Sequence, residues 1–159
     1  MKCLVLYDSV FNNTEKIAQC IQASLQECDL LKVVDCDSKQ VIPYDLIFVG
    51  SPTRAFTATK ALLAFINSLE HNGFKDKKVA VFDTRLQINR HPSMVLRFMV
   101  KYFGYADKKL ERVVLKKKAQ LVSPSGIFFV EDVKGPLKKG ECERAAAWAQ
   151  SIYASLAEE

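Results

Sequence analysis

Five short apolar runs punctuate the chain, separated by stretches in which apolar residues recur at helical spacing. Four runs, 2–7, 30–35, 45–50 and 78–83, are dense in Val, Ile, Leu and Phe without clean alternation, and each is bounded by polar or turn residues. Such runs fit strands covered on both faces, as in a parallel sheet. The fifth, 120–130, is broken by Ser123-Pro124-Ser125-Gly126, which reads as a bulge or turn because proline cannot donate to a strand ladder. The intervening stretches predict helices over 14–26, 57–69, 95–117 and 141–156. Their stripes are Ile17, Ile21 and Leu25; Leu62, Phe65, Ile66 and Leu69; Phe98, Met99 and Tyr102, then Leu110, Val113 and Val114; and Ala145, Trp148, Ala149, Ile152 and Leu156. Every stripe is expected to face a core. Gly104 marks a break between two pieces of the third. Strands and helices in alternation give one open α/β domain over 1–159, a parallel sheet with helices on both faces. In such sheets ligands bind at the carboxyl ends of the strands, near the point where strand order reverses. Candidate chemistry therefore lies in the loops that leave the first, third and fourth runs.

Composition narrows the class. The 159 residues suit one domain, and a hydrophobic share of 49% against 26% charged suits a water-soluble core-forming protein. The start of the chain has neither the length nor the cleavage site of a signal peptide, and no stretch approaches the ~18 apolar residues of a membrane span. A cytoplasmic address is the expectation. Cys3, Cys20, Cys28, Cys36 and Cys142 are odd in number and form no CxxC pair, so reduced thiols are expected rather than a disulfide framework or zinc site. His71 and His91 have no partners at ligand spacing. The net charge of +5 raises nucleic acid, but the basic residues are dispersed. Their densest cluster, Lys116-Lys117-Lys118, reads as a solvated helix end.

The first loop, Asp8-Ser9-Val10-Phe11-Asn12-Asn13-Thr14, joins a strand to a helix. The unpaired N–H groups and partial positive charge at a helix head suit a phosphate. Ser9 and Thr14 add hydroxyls, and Asn12 and Asn13 tolerate the left-handed angles that turn N–H groups inward. The loop lacks GxGxxG and GxxxxGK[ST]. Read locally, it is equally a plain helix cap with Thr14 or Asn13 at the N-cap.

Ser9-Val10-Phe11-Asn12-Asn13-Thr14, continuing as Thr14-Glu15-Lys16-Ile17-Ala18-Gln19, resembles the flavodoxin phosphate loop and first helix, written T/S-x-T/S-G-x-T in that family. Gly50-Ser51-Pro52-Thr53-Arg54-Ala55-Phe56 after the third run and Phe82-Asp83-Thr84-Arg85-Leu86 after the fourth stand where flavodoxins hold their flavin ring, and the segment 128–145 is similar to the end of such domains. The resemblance spans essentially the whole chain in its short form. It implies a flavodoxin-like doubly wound five-stranded parallel sheet of order 2-1-3-4-5 and bound FMN. It also implies electron transfer with a redox partner protein or small-molecule substrate.

Carried over by position, Ser9, Asn13 and Thr14 fall on phosphate sites. Asn12 stands where the family has glycine, and Phe11 where a hydroxyl is usual. The second change removes one charge-assisted hydrogen bond, on the order of 1.5–3 kcal/mol. Ser51, Pro52, Thr53, Arg54 and Phe56 would pass beside the ring, with Phe56 either stacking or seating the second helix. The loop from Asp83 through Thr84 and Arg85 to Ser93 would cover the other side. Neither ring loop carries Trp or Tyr. The loops contain Arg54, Arg85 and Arg90 with Asp83 as the only acid, which implies a raised flavin potential and a negatively charged partner. An electron carrier is favoured. The alternatives are an FMN-dependent reductase or oxidase of a quinone or porphyrinogen, and a cofactor-free interaction module.

Overall fold

The computed structural model describes residues 1–88 and 92–158, so Arg90 and His91 lie outside the described residues. Eleven elements follow one another in the described residues: β1 (Cys3–Tyr7), α1 (Asn13–Ala23), β2 (Cys28–Lys32), β3 (Leu46–Pro52), α2 (Lys60–Ser68), β4 (Lys78–Leu86), α3 (Met94–Phe103), α4 (Ala106–Lys116), β5 (Gln120–Leu121), β6 (Gly126–Val130) and α5 (Glu141–Ala157). The sheet is parallel with order β2-β1-β3-β4-β5, and β6 also pairs with β4. β5 and β6 are the two halves of the broken fifth run. β5 meets β4 at Lys78 and Val79 and β6 meets it again from Phe82 to Leu86, so Ser123–Ser125 bulge out between them. The 2-1-3-4-5 order expected from the resemblance is the order observed.

The apolar runs lack alternation because both faces of the sheet are covered. Leu4, Leu6, Ile47, Val49, Val79 and Val81 pack on one side with Leu62 and Ile66 of α2 and Leu110 and Val114 of α4. Cys3, Val5, Leu46, Phe48, Ala80 and Phe82 point the other way, into Ile17 and Ile21 of α1 and Ala145, Ala149 and Ile152 of α5. At Gly50 packing excludes any side chain, since a Cβ there would fall 2.0 Å from the Phe82 ring. Lys117 donates from Nζ to the carbonyls of Asn67 (2.8 Å) and Leu69 at the end of α2. One member of the basic cluster thus satisfies orphan carbonyls of a neighbouring helix.

Three expectations need correction. β2 ends at Lys32, because Val33–Asp35 closes into a 3-10 turn with only Val33 buried. Cys20 and Cys142 are joined in a disulfide, their Cα atoms 5.6 Å apart, so the five thiols are not all free. An odd count concealed a pair that the packing of α1 on α5 brings together. The stripe Phe98, Met99, Tyr102 does not face a core. Phe98 is 60% and Tyr102 72% exposed, Met99 is half-buried, and Val100 is the buried residue of α3.

Candidate functional site

β1, β3 and β4 deliver their following loops to one end of the sheet, where a cavity of about 610 Å³ opens among them. Its wall includes Phe11, Asn13 and Thr14 from the first loop, residues 52–60 from the second, and Thr84, Arg85, Leu86 and Ile88 from the third.

In the first loop Asn12 takes the left-handed conformation (φ 63°, ψ 2°) and caps α1 without a side-chain hydrogen bond. The N-cap is therefore neither Thr14 nor Asn13. Both side chains are buried and tie the loop elsewhere. Asn13 donates from Nδ2 to the Lys134 carbonyl (3.1 Å), and the hydroxyls of Thr14 and Thr84 share a hydrogen bond of 2.7 Å. Ser9 Oγ accepts from the Glu15 N–H (3.3 Å), and the Lys16 N–H reaches the Asn12 carbonyl. The N–H groups of Asn13 and Thr14, at the very head of the helix, have no intrahelical acceptor. Ser9 and Asn12 stand behind or outside the cavity wall rather than in it.

The second loop folds back on itself. Arg54 and Thr57 exchange backbone hydrogen bonds of 2.8 and 3.0 Å, and the two residues between them, Ala55 (φ 45°) and Phe56 (φ 66°), are both left-handed. Left-handed angles cost a residue with a Cβ about 1–2 kcal/mol. No glycine or asparagine announces this turn. It places Phe56 in the cavity wall, 5.7 Å from the ring of Phe103. Arg54, exposed, stacks over the Phe11 ring at 5.1 Å and so brings a guanidinium to the phosphate-type loop. Ser51 is fully buried behind the wall. Its hydroxyl donates to the Pro52 carbonyl (2.9 Å) and accepts from the Thr59 N–H (3.0 Å). Thr59 itself lines the cavity, and its buried hydroxyl oxygen has no hydrogen-bond partner among the described residues.

On the third side β4 runs on to Leu86, so Asp83, Thr84 and Arg85 are strand residues. Asp83 does not reach the cavity. Its carboxylate accepts from Arg85 Nε (2.7 Å) and Nη2 (2.6 Å), from Thr53 Oγ1 (3.1 Å) and from the Asp107 N–H (3.2 Å). Arg85 also lies 2.8 Å from Asp107 Oδ1, at ion-pair distance but without the alignment of a hydrogen bond. Its guanidinium stacks on the Tyr105 ring at 3.6 Å. Burial pushes the Asp83 carboxyl above the usual carboxylate range, against the lowering pull of Arg85. Burial likewise raises the Tyr105 hydroxyl, offset by the same cation.

Arg85 is thus not a free positive charge facing a ligand. It is paired with two buried acids, and Asp83 is not the only acid near it. Asp107 and Tyr105 had no sequence signal beyond following Gly104, yet Tyr105 brings to the wall the tyrosine that the ring loops themselves lack. Leu96 and Val100 of α3, with Val130 at the end of β6 and Val133 beyond it, complete an apolar side that the sequence did not reveal.

The family model described as Flavodoxin domain matches residues 4–129. The chain belongs to the flavodoxin family. Among solved structures, this flavodoxin domain is similar to oxidised flavodoxin 2 from Bacillus cereus, at 23% identity and TM-score 0.74 over 98% of this chain and 99% of that one. It is similar also to the WrbA-like flavodoxin from Agrobacterium tumefaciens, at 13% identity and TM-score 0.73 over 99% and 98%. Rubredoxin oxygen:oxidoreductase from Desulfovibrio gigas matches at 17% identity and TM-score 0.72, over 99% of this chain but 36% of that one. At these identities the likeness is one of fold. A search of curated proteins finds no match. For this flavodoxin domain the donor set fits a flavin phosphate ester at an open helix head with the Ser9 and Thr14 hydroxyls beside it, and the orphan Thr59 hydroxyl in the wall fits a polar atom of the ring.

Proposed function

We propose that this flavodoxin domain binds FMN and works as an electron-transfer protein. The observation that carries the reading is the convergence of three strand-end loops on one cavity, at the head of a helix whose first N–H groups lack intrahelical acceptors. Ser9, Asn13 and Thr14 would hold the phosphate, and Arg54 over Phe11 would supply a charged donor in place of the hydroxyl missing there. Phe56, Pro52 and Tyr105 would flank the ring, with Thr59 donating its hydroxyl. When bound, FMN supplies the redox chemistry, and the chain supplies binding, orientation and shielding from water.

A second reading, an FMN-dependent reductase or oxidase of a small substrate, is favoured by the apolar side of the cavity at Ile88, Leu96, Val100 and Val133. Partner chemistry belongs to the same proposal. Arg54 and Lys60 are exposed at the cavity and favour a negatively charged partner, while the pairing of Arg85 removes its share in raising the flavin potential.

Titration of the apo-protein with FMN, followed by flavin fluorescence, tests the reading. Saturable quenching is expected, weakened by Arg54→Ala and by Thr14→Ala. Absence of quenching leaves the cofactor-free module. Steady turnover of a quinone with a nicotinamide donor moves the assignment from carrier to enzyme.

A further inference from the structure

α3 carries ten residues, Met94–Phe103, and most of its apolar surface faces outward. Met94, Val95, Phe98, Tyr102 and Phe103 are between 60% and 74% exposed, a contiguous group rather than scattered single residues. At 100° per residue, Met94, Phe98, Tyr102 and Val95 fall within one arc, with Arg97 and Lys101 along one border of it. The helix has no acidic residue. Its inner side is thin: Val100 is buried, and Leu96 and Val100 line the cavity. One helix therefore joins the cavity wall to an exposed apolar, basic-edged face, and Phe103 at its end meets Phe56 of the second loop.

We propose that α3 docks this domain on an anionic lipid bilayer, lying in the interface with Phe98 and Tyr102 among the acyl chains and Arg97 and Lys101 at the headgroups. An amphipathic helix with aromatic residues inward and cations at the edge suits that plane. Aromatic side chains favour the membrane–water boundary. Attachment is peripheral, since no helix among the described residues is long and apolar enough to cross a membrane. Charge complementarity selects the occupant. The arc is bordered by cations, and the chain carries a net charge of +5, which an anionic leaflet attracts. A second copy is disfavoured, because a two-fold contact through α3 sets Arg97 and Lys101 against their own copies. Docking in this way sets α3 between the lipid and the cavity that Leu96 and Val100 line. The proposal stands apart from FMN binding and survives its failure.

Co-sedimentation of the full chain with vesicles tests it. Binding is expected to vesicles of phosphatidylcholine with equal phosphatidylglycerol, and little to phosphatidylcholine alone. Phe98→Asp with Tyr102→Asp should weaken partitioning by at least about tenfold, from the lost apolar burial. Arg97→Gln and Lys101→Gln should each weaken it by about fivefold. Lys75→Gln, at the opposite end of the sheet, should leave it near the wild-type value. All of these side chains are exposed, so an unchanged urea midpoint confirms folding. As a second readout, Phe98→Trp should give a blue-shifted emission component with the anionic vesicles. No binding to anionic vesicles overturns the proposal, as does binding indifferent to Phe98 and Tyr102 or equally sensitive to Lys75. A dimer dispersed by Phe98→Asp, without lipid binding, reassigns the face to a second copy.

Discussion

α3 and α4 are neighbours in the chain, separated by Gly104 and Tyr105, and both are amphipathic, yet only α4 buries its stripe. Leu110 and Val114 are fully buried against β3, β4 and α2, whereas Phe98 and Tyr102 stand in solvent. The head of α4 is also held. Its Ala106 N–H donates to Thr53 Oγ1 (3.0 Å) and its Asp107 N–H to the Asp83 carboxylate (3.2 Å), both groups of the cavity end of the sheet. A carboxylate at a helix N-terminus complements the helix dipole. At the head of α3 the Leu96 N–H donates to Ser93 Oγ (3.2 Å), a cap from its own segment. The contrast shows that periodicity defines an apolar face but leaves open what covers it. In α4 the face that becomes core belongs to a helix whose head is tied to the sheet.

The largest effect should come from the anchor. Asp83→Ala leaves Arg85 buried with Asp107 alone and frees the head of α4, and should cost about 3–5 kcal/mol in urea denaturation. A loss under about 1 kcal/mol would show that the network does not hold α4. Next, Leu110→Ala should cost about 2–5 kcal/mol, while Phe98→Ala should stay within about 0.5 kcal/mol. Equal losses would abolish the distinction between the helices. Gly104 has φ 75° and ψ −151°, and a Cβ there meets nothing within 4 Å. Gly104→Ala should therefore cost about 1–3 kcal/mol through backbone strain alone, the sterically open site offering no other cause. The smallest effect concerns the solvent side of α4. Lys108→Gln should cost at most about 0.5 kcal/mol, because Lys108 is largely exposed where it meets Glu111 at 3.0 Å. Burial opposes ionisation of Glu111, but the Ser125 hydroxyl (2.6 Å) and Lys108 outweigh it and hold its carboxyl below the usual range. The folded chain thus binds that proton less tightly than the unfolded chain. The contribution should be full at neutral pH and fade as pH falls through the lowered value, which a pH series of urea midpoints would reveal.

The chain by itself determined the sheet and much of the site. Apolar runs at 2–7, 45–50 and 78–83 became β1, β3 and β4 because short, dense Val/Ile/Leu/Phe runs have no stable alternative to burial on both faces. Strand–loop–helix order then fixed which loops meet, and Phe11, Asn13, Thr14, Pro52, Thr53, Arg54, Phe56, Thr84 and Arg85 all line the cavity. Local chemistry allowed left-handed angles at both Asn12 and Asn13, and only Asn12 takes them, Asn13 being the first residue of α1. Other features came only with the tertiary structure, because they depend on residues distant in sequence. The disulfide joins positions 122 residues apart. Arg85 loses its freedom to Asp107, which approaches only because α4 packs where it does. The turn at Ala55 and Phe56 is left-handed against local preference, held by the Arg54–Thr57 bonds and the loop's attachment to Thr84. α3 is the plainest case: its stripe meets the same helical criterion as the others, and only the absence of a sheet face opposite it leaves Phe98 and Tyr102 to the solvent.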